Sequence, residues 1–75
     1  MAVASLVVEI QPGTSETVLH GLAQLPNVSV YGMKENQIVT VVEGDTLQSV
    51  DDAVKILLTM ENVTGVFPVY AGDYV

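Results

Sequence analysis

Two valine-rich segments near opposite ends of the chain frame everything between them: Ser5-Leu6-Val7-Val8-Glu9, and Val63-Thr64-Gly65-Val66-Phe67-Pro68-Val69-Tyr70. Both are short and rich in β-branched residues, so they read as strands. The residues between them supply two amphipathic helices and a hairpin, giving the order βαββαβ. A chain written this way has few ways to close. Right-handed crossovers put both helices on the same face of one antiparallel sheet. The expected architecture is therefore an α+β ferredoxin-like sandwich with a four-stranded sheet, strands one and three central and strands two and four at the edges. The 75 residues suit one domain over positions 1–75, and no segment is left to cover the second face of the sheet.

Local signals support each element. Residues 3–10 form the first strand, closed by Pro12-Gly13. Thr14 or Ser15 caps the first helix, Glu16 sits in its first turn, and Val18, Leu22 and Leu25 make its buried stripe before Pro26 stops it. Val28-Ser29-Val30-Tyr31 alternates like a half-buried strand, and Lys34-Glu35-Asn36 is the turn. Ile38-Val39-Thr40-Val41-Val42 returns as a central strand. Gly44-Asp45-Thr46 breaks that strand and caps the second helix, whose stripe is Leu47, Val50, Val54 and Leu57, with Ala53 and Met60 beside it. Asp51 and Lys55 have the spacing of an i, i+4 ion pair. Asn62 ends this helix, and residues 63–70 make the last strand.

The chemistry missing from the chain narrows its function. With no cysteine, disulfides and thiolate metal sites are excluded. His20, the single histidine, lies mid-helix and reads as an ordinary surface or boundary residue. Asp51 and Asp52 are helix neighbours pointing about 100° apart, so with Asp45 they make a poor cation site. Pro12-Gly13-Thr14-Ser15 lacks the lysine of a phosphate loop. No nucleophile is paired with a base, so no catalytic residue, metal or cofactor is expected, and the chain does not read as an enzyme. Nine acidic residues against Lys34 and Lys55 give a net charge of −7, which disfavours nucleic acid and anionic membranes and steers in a basic partner. The same charge also serves plain solubility. No apolar run reaches the length of a membrane span, and Glu9 interrupts the N-terminal one, so no membrane insertion and no signal peptide are expected. A cytoplasmic location is the expectation.

What remains is the uncovered sheet face. On strand one, Ser5, Val7 and Glu9 form the polar-marked set and are placed on that face. By the same test Thr40 turns Ile38 and Val42 outward, while Glu43 argues for the opposite register. On strand four, Phe67 and Val69 share one side and Val66, Pro68 and Tyr70 the other, with Pro68 at a bulge or an edge. An apolar platform among acidic groups suits a basic amphipathic peptide; it equally suits a homodimer made by stacking two sheet faces.

Four segments also resemble, in order and wording, the NapD family: Ser5-Leu6-Val7-Val8, Leu25-Pro26-Asn27-Val28, Ile38 to Glu43, and Asn62-Val63-Thr64-Gly65-Val66. The resemblance runs from residue 4 to about residue 70. It implies a cytoplasmic assembly chaperone that binds the twin-arginine signal peptide of the catalytic subunit precursor of periplasmic nitrate reductase, holding back export until the molybdenum cofactor is inserted. Under it, the peptide-binding residues are Ser5, Val7 and Glu9 of strand one, with Thr40 and Val42 of strand three beside them. Family members commonly continue the last strand into a Val-Tyr-His stretch and a polar tail, from which Ala71-Gly72-Asp73-Tyr74-Val75 departs. The competing reading is a small dimeric regulatory domain of the amino-acid-binding ACT type, with its ligand near Gln11 to Ser15.

Overall fold

A computed structural model describes residues 1–73; Tyr74 and Val75, the end of the departing tail, lie outside the described residues. The elements follow the expected order: β1 (Ala2–Ile10), α1 (Ser15–Ala23), β2 (Val28–Lys34), β3 (Gln37–Gly44), α2 (Leu47–Thr59) and β4 (Val63–Asp73). The strands form one antiparallel sheet in the order β2-β3-β1-β4, with β3 and β1 central. This is the ferredoxin-like arrangement. β4 runs to Asp73, past the expected end at Tyr70.

Alternation along β1 is complete. Ala2, Ala4, Leu6, Val8 and Ile10 are buried beneath the helices, while Val3, Ser5, Val7 and Glu9 are half-exposed on the other side. Against the buried set pack Val18 and Leu22 of α1, and Val50, Ala53 and Leu57 of α2. Leu25 and Val54 pack against this core from its margin. Leu47, expected in the stripe, is instead exposed at the first position of α2. The helix turns its Val50–Ala53–Leu57 line inward, and Leu47 falls to the side that faces β4.

The start of α2 is held by a capping box. The Thr46 hydroxyl accepts from the Ser49 amide at 3.1 Å, and the Thr46 amide donates to the Ser49 hydroxyl at 3.2 Å. α1 begins differently: Thr14 is its cap residue, but its hydroxyl donates back to the Gln11 carbonyl at 2.7 Å. Asn62 closes the exit from α2 with φ at 72°, a left-handed conformation that asparagine tolerates better than most residues. Asp51 and Lys55 pair at 3.1 Å on the solvent side; the hydrogen bond to Asp51, then its charge, raises the Lys55 ammonium above its ordinary pKa.

One expectation about the open face is overturned. Thr40 and Val42 lie on the helix-covered side, fully buried with Ile38, and not on the open face. In the β1–β3 register Val7 faces Val39 and Ser5 faces Val41, so the outward residues of β3 are Gln37, Val39, Val41 and Glu43. The cause is the relative cost of burying two polar groups. A slip of one residue would send Glu43 inward, and an unpaired carboxylate costs far more to bury than a hydroxyl. The buried Thr40 hydroxyl donates to the Leu6 carbonyl at 3.4 Å, so its place in the core is partly compensated.

Candidate functional site

The open face can be built row by row from the strand registers, because residues directly opposite one another point the same way. Its middle row runs Gly32 (β2), Val39 (β3), Val7 (β1) and Phe67 (β4). A second row holds Ser29, Val41, Ser5 and Tyr70. Beyond the middle row come Lys34, Gln37, Glu9 and Gly65; at the opposite end, Glu43 lies beside Val3 and Gly72. Apolar side chains therefore occupy the centre, and a carboxylate stands at each end. The six-residue step from Glu9 to Val3 separates those ends by about 20 Å.

Two irregularities in β4 shape this surface. An extra residue, Val69, breaks the pairing between Pro68 and Tyr70, and Thr64 does the same between Val63 and Gly65. The bulge at Val69 brings both Phe67 and Tyr70 to the open face, where strict alternation would have separated them. Each ring then lies over a glycine two residues away. A Cβ on Gly65 would meet Phe67 Cε2 at 2.8 Å, and the Tyr70 hydroxyl fills the space over Gly72. The aromatic groups lie along the strand and remain about half exposed, 51% for Phe67 and 47% for Tyr70. Pro68, opposite Leu6, belongs to the helix side.

Of the five residues predicted for the site, the structure brings Ser5, Val7 and Glu9 together on the open face. Thr40 and Val42 are not there; Val39 and Val41 take their places. Phe67 and Tyr70 complete the surface; Pro68 signalled a bulge or an edge in this strand but not which residue would be the extra one, so the sequence left the two rings on opposite faces. Glu9 is oriented by Gln37, whose side-chain amide donates to Oε2 at 3.2 Å.

Two concavities lie elsewhere. One of about 510 Å³ sits at the Gly44 end of the sheet, lined by Asn27, Ser29, Glu43, Asp45 and Ser49 among others. Another, of about 330 Å³, is an apolar cleft between α2 and β4 formed by Leu6, Leu47, Val50, Val54, Pro68 and Ala71 with Ala4 and Asp51. Neither gathers groups for acid-base or nucleophilic chemistry. Among the described residues no three His, Asp or Glu side chains converge as metal ligands would, and no helix is long and apolar enough to cross a membrane.

Fold and surface together define the class: a ferredoxin-like βαββαβ domain whose sheet is covered by helices on one side and presents an apolar-centred, acid-flanked face on the other. Within that class the chain belongs to the NapD family, whose model, described as NapD protein, matches residues 1–73. The structure is also similar to the solution structure of the E. coli Tat proofreading chaperone protein NapD, with a TM-score of 0.86 and 23% identity over 96% of this chain and 78% of that one. At that identity the likeness establishes the fold. No curated protein matches the sequence.

Proposed function

We propose that this protein is a cytoplasmic chaperone that binds the twin-arginine signal peptide of the periplasmic nitrate reductase catalytic subunit precursor and delays its export until the cofactor is inserted. The observation that carries the reading is the open face: Val7, Val39, Val41 and Phe67 form a continuous apolar surface with Glu9 and Glu43 at its ends. A twin-arginine signal peptide is basic at one end and apolar beyond it, so each part has a counterpart there. Membership of the NapD family, and the likeness to a Tat proofreading chaperone, support a twin-arginine signal peptide as that ligand. The ACT-type alternative loses its ground, since the NapD model accounts for residues 1–73, including the Gln11 to Ser15 loop.

The apolar face and the −7 charge contribute differently. Electrostatic attraction between exposed groups fades beyond about 8 Å at physiological salt, whereas apolar contact does not. Calorimetry with the cognate signal peptide should show binding that weakens, but persists, as salt is raised. Replacing both arginines should weaken it further at low salt than at high salt. Absence of heat and of any competition at either salt would end the chaperone reading.

A further inference from the structure

We propose that Glu9 and Phe67 together form a seat for one arginine side chain of a bound peptide, one that selects arginine over lysine. The inference rests on the peptide-binding reading above and adds where, and by what chemistry, a guanidinium is recognised. Three independent placements converge above Gly65. The Gln37 side-chain amide holds Glu9 through Oε2 at 3.2 Å, which leaves Oε1 to face the space over Gly65, 3.9 Å from where a Cβ would stand. Phe67 lays its ring edge over the same spot, with Cε2 at 2.8 Å and Cζ at 3.0 Å from that position. Gly65 itself contributes no side chain, so the ring lies low on the strand with its outer side open.

A fixed carboxylate oxygen beside an exposed ring is what a planar guanidinium uses best. It donates a charge-assisted bond to the oxygen and stacks its plane on the ring. A lysine ammonium gains the charge but has no plane to stack. At the other acidic end of the face, where Glu43 and Asp45 border the 510 Å³ concavity, the aromatic ring is that of Tyr70 over Gly72, two strands from Glu43, so carboxylate and ring are not side by side as Glu9 and Phe67 are. Lys34, the one cation on this face, lies two strands from Glu9, about 10 Å away by strand spacing, where salt screens most of its repulsion.

The test uses the full chain and two synthetic peptides, one with paired arginines ahead of an apolar segment and one with paired lysines in the same frame. Calorimetry should give wild type a preference for arginine of about tenfold. Phe67→Leu, and independently Gly65→Ala, which forces the ring to shift, should cut that preference to about threefold or less; the ratio of the two affinities is the readout, because Phe67 also lends apolar contact to either peptide. Glu9→Gln should weaken the arginine peptide about tenfold, and Glu43→Gln should weaken both peptides alike. An equal preference in wild type and in Phe67→Leu, or none in wild type, overturns the seat but leaves peptide binding standing. Failure of wild type to bind either peptide overturns both.

Discussion

At Thr40 and Glu43 two polar residues on one strand compete for the solvent, and which one wins decides the composition of the whole face. The hydroxyl goes inside with a long bond to the Leu6 carbonyl, and the carboxylate goes out. Strand one was legible because Ser5 and Glu9 agree; strand three was not, because Thr40 and Glu43 disagree and pattern alone does not weigh a hydroxyl against a charge. The resolution is testable. Thr40→Val preserves volume and removes a group whose hydrogen bond is already 3.4 Å long, so stability should stay within about 1 kcal/mol of wild type and peptide affinity should not change. A large loss of binding in a folded Thr40→Val protein would return Thr40 to the site. Neighbours on β1 give the sharper contrast. Val7→Asp places a carboxylate on the open face, so circular dichroism should show a folded protein that has lost peptide affinity. Val8→Asp buries one in the core, a cost of several kcal/mol, comparable to the whole stability of a small domain, and should unfold it.

The elements themselves were readable from sequence because their boundaries rest on local chemistry: Pro26 after α1, the Gly44-Asp45-Thr46 break before α2, and Asn62 after it. The bulges were readable only in part: Pro68 marked a bulge or an edge, but not its position. Nothing in Pro68-Val69-Tyr70 says that Val69 is the residue without a partner, since the two-residue period simply resumes beyond it in the opposite phase. The faces of Phe67 and Tyr70 therefore emerged only from pairing with Val7 and Ser5 on β1. Leu47 was misplaced for a related reason: one turn of apolar periodicity at a helix start does not reveal which flank the sheet will cover. The cap at that start bears a quantitative expectation. Thr46→Ala removes the acceptor for the Ser49 amide and should destabilise the protein by about 1 kcal/mol, lowering the thermal midpoint by roughly 4–8 °C for a domain of this size. Peptide affinity should be unaffected, because α2 lies behind the sheet. An unchanged midpoint would mean that the capping box does not hold the helix.

At the scale of the molecule, the fold spends both helices on one side of the sheet, leaving the other side to be defined by what two central strands and the aromatic groups of one edge present to water. The account stands or falls on whether the peptide lies on that side. Backbone signals discriminate poorly, since every strand residue belongs to both faces, but valine methyl groups belong to one. A selectively methyl-labelled protein titrated with the twin-arginine signal peptide and followed by NMR therefore tests the claim most directly. The methyl resonances of Val7, Val39 and Val41 should move progressively to saturation, while those of Val8, Val42 and Val50, buried under the helices, stay nearly still. Saturation with the largest shifts at Val50 and Val54, which border the cleft between α2 and β4, and none at Val7 or Val39 would place the peptide on the helix side and contradict the account.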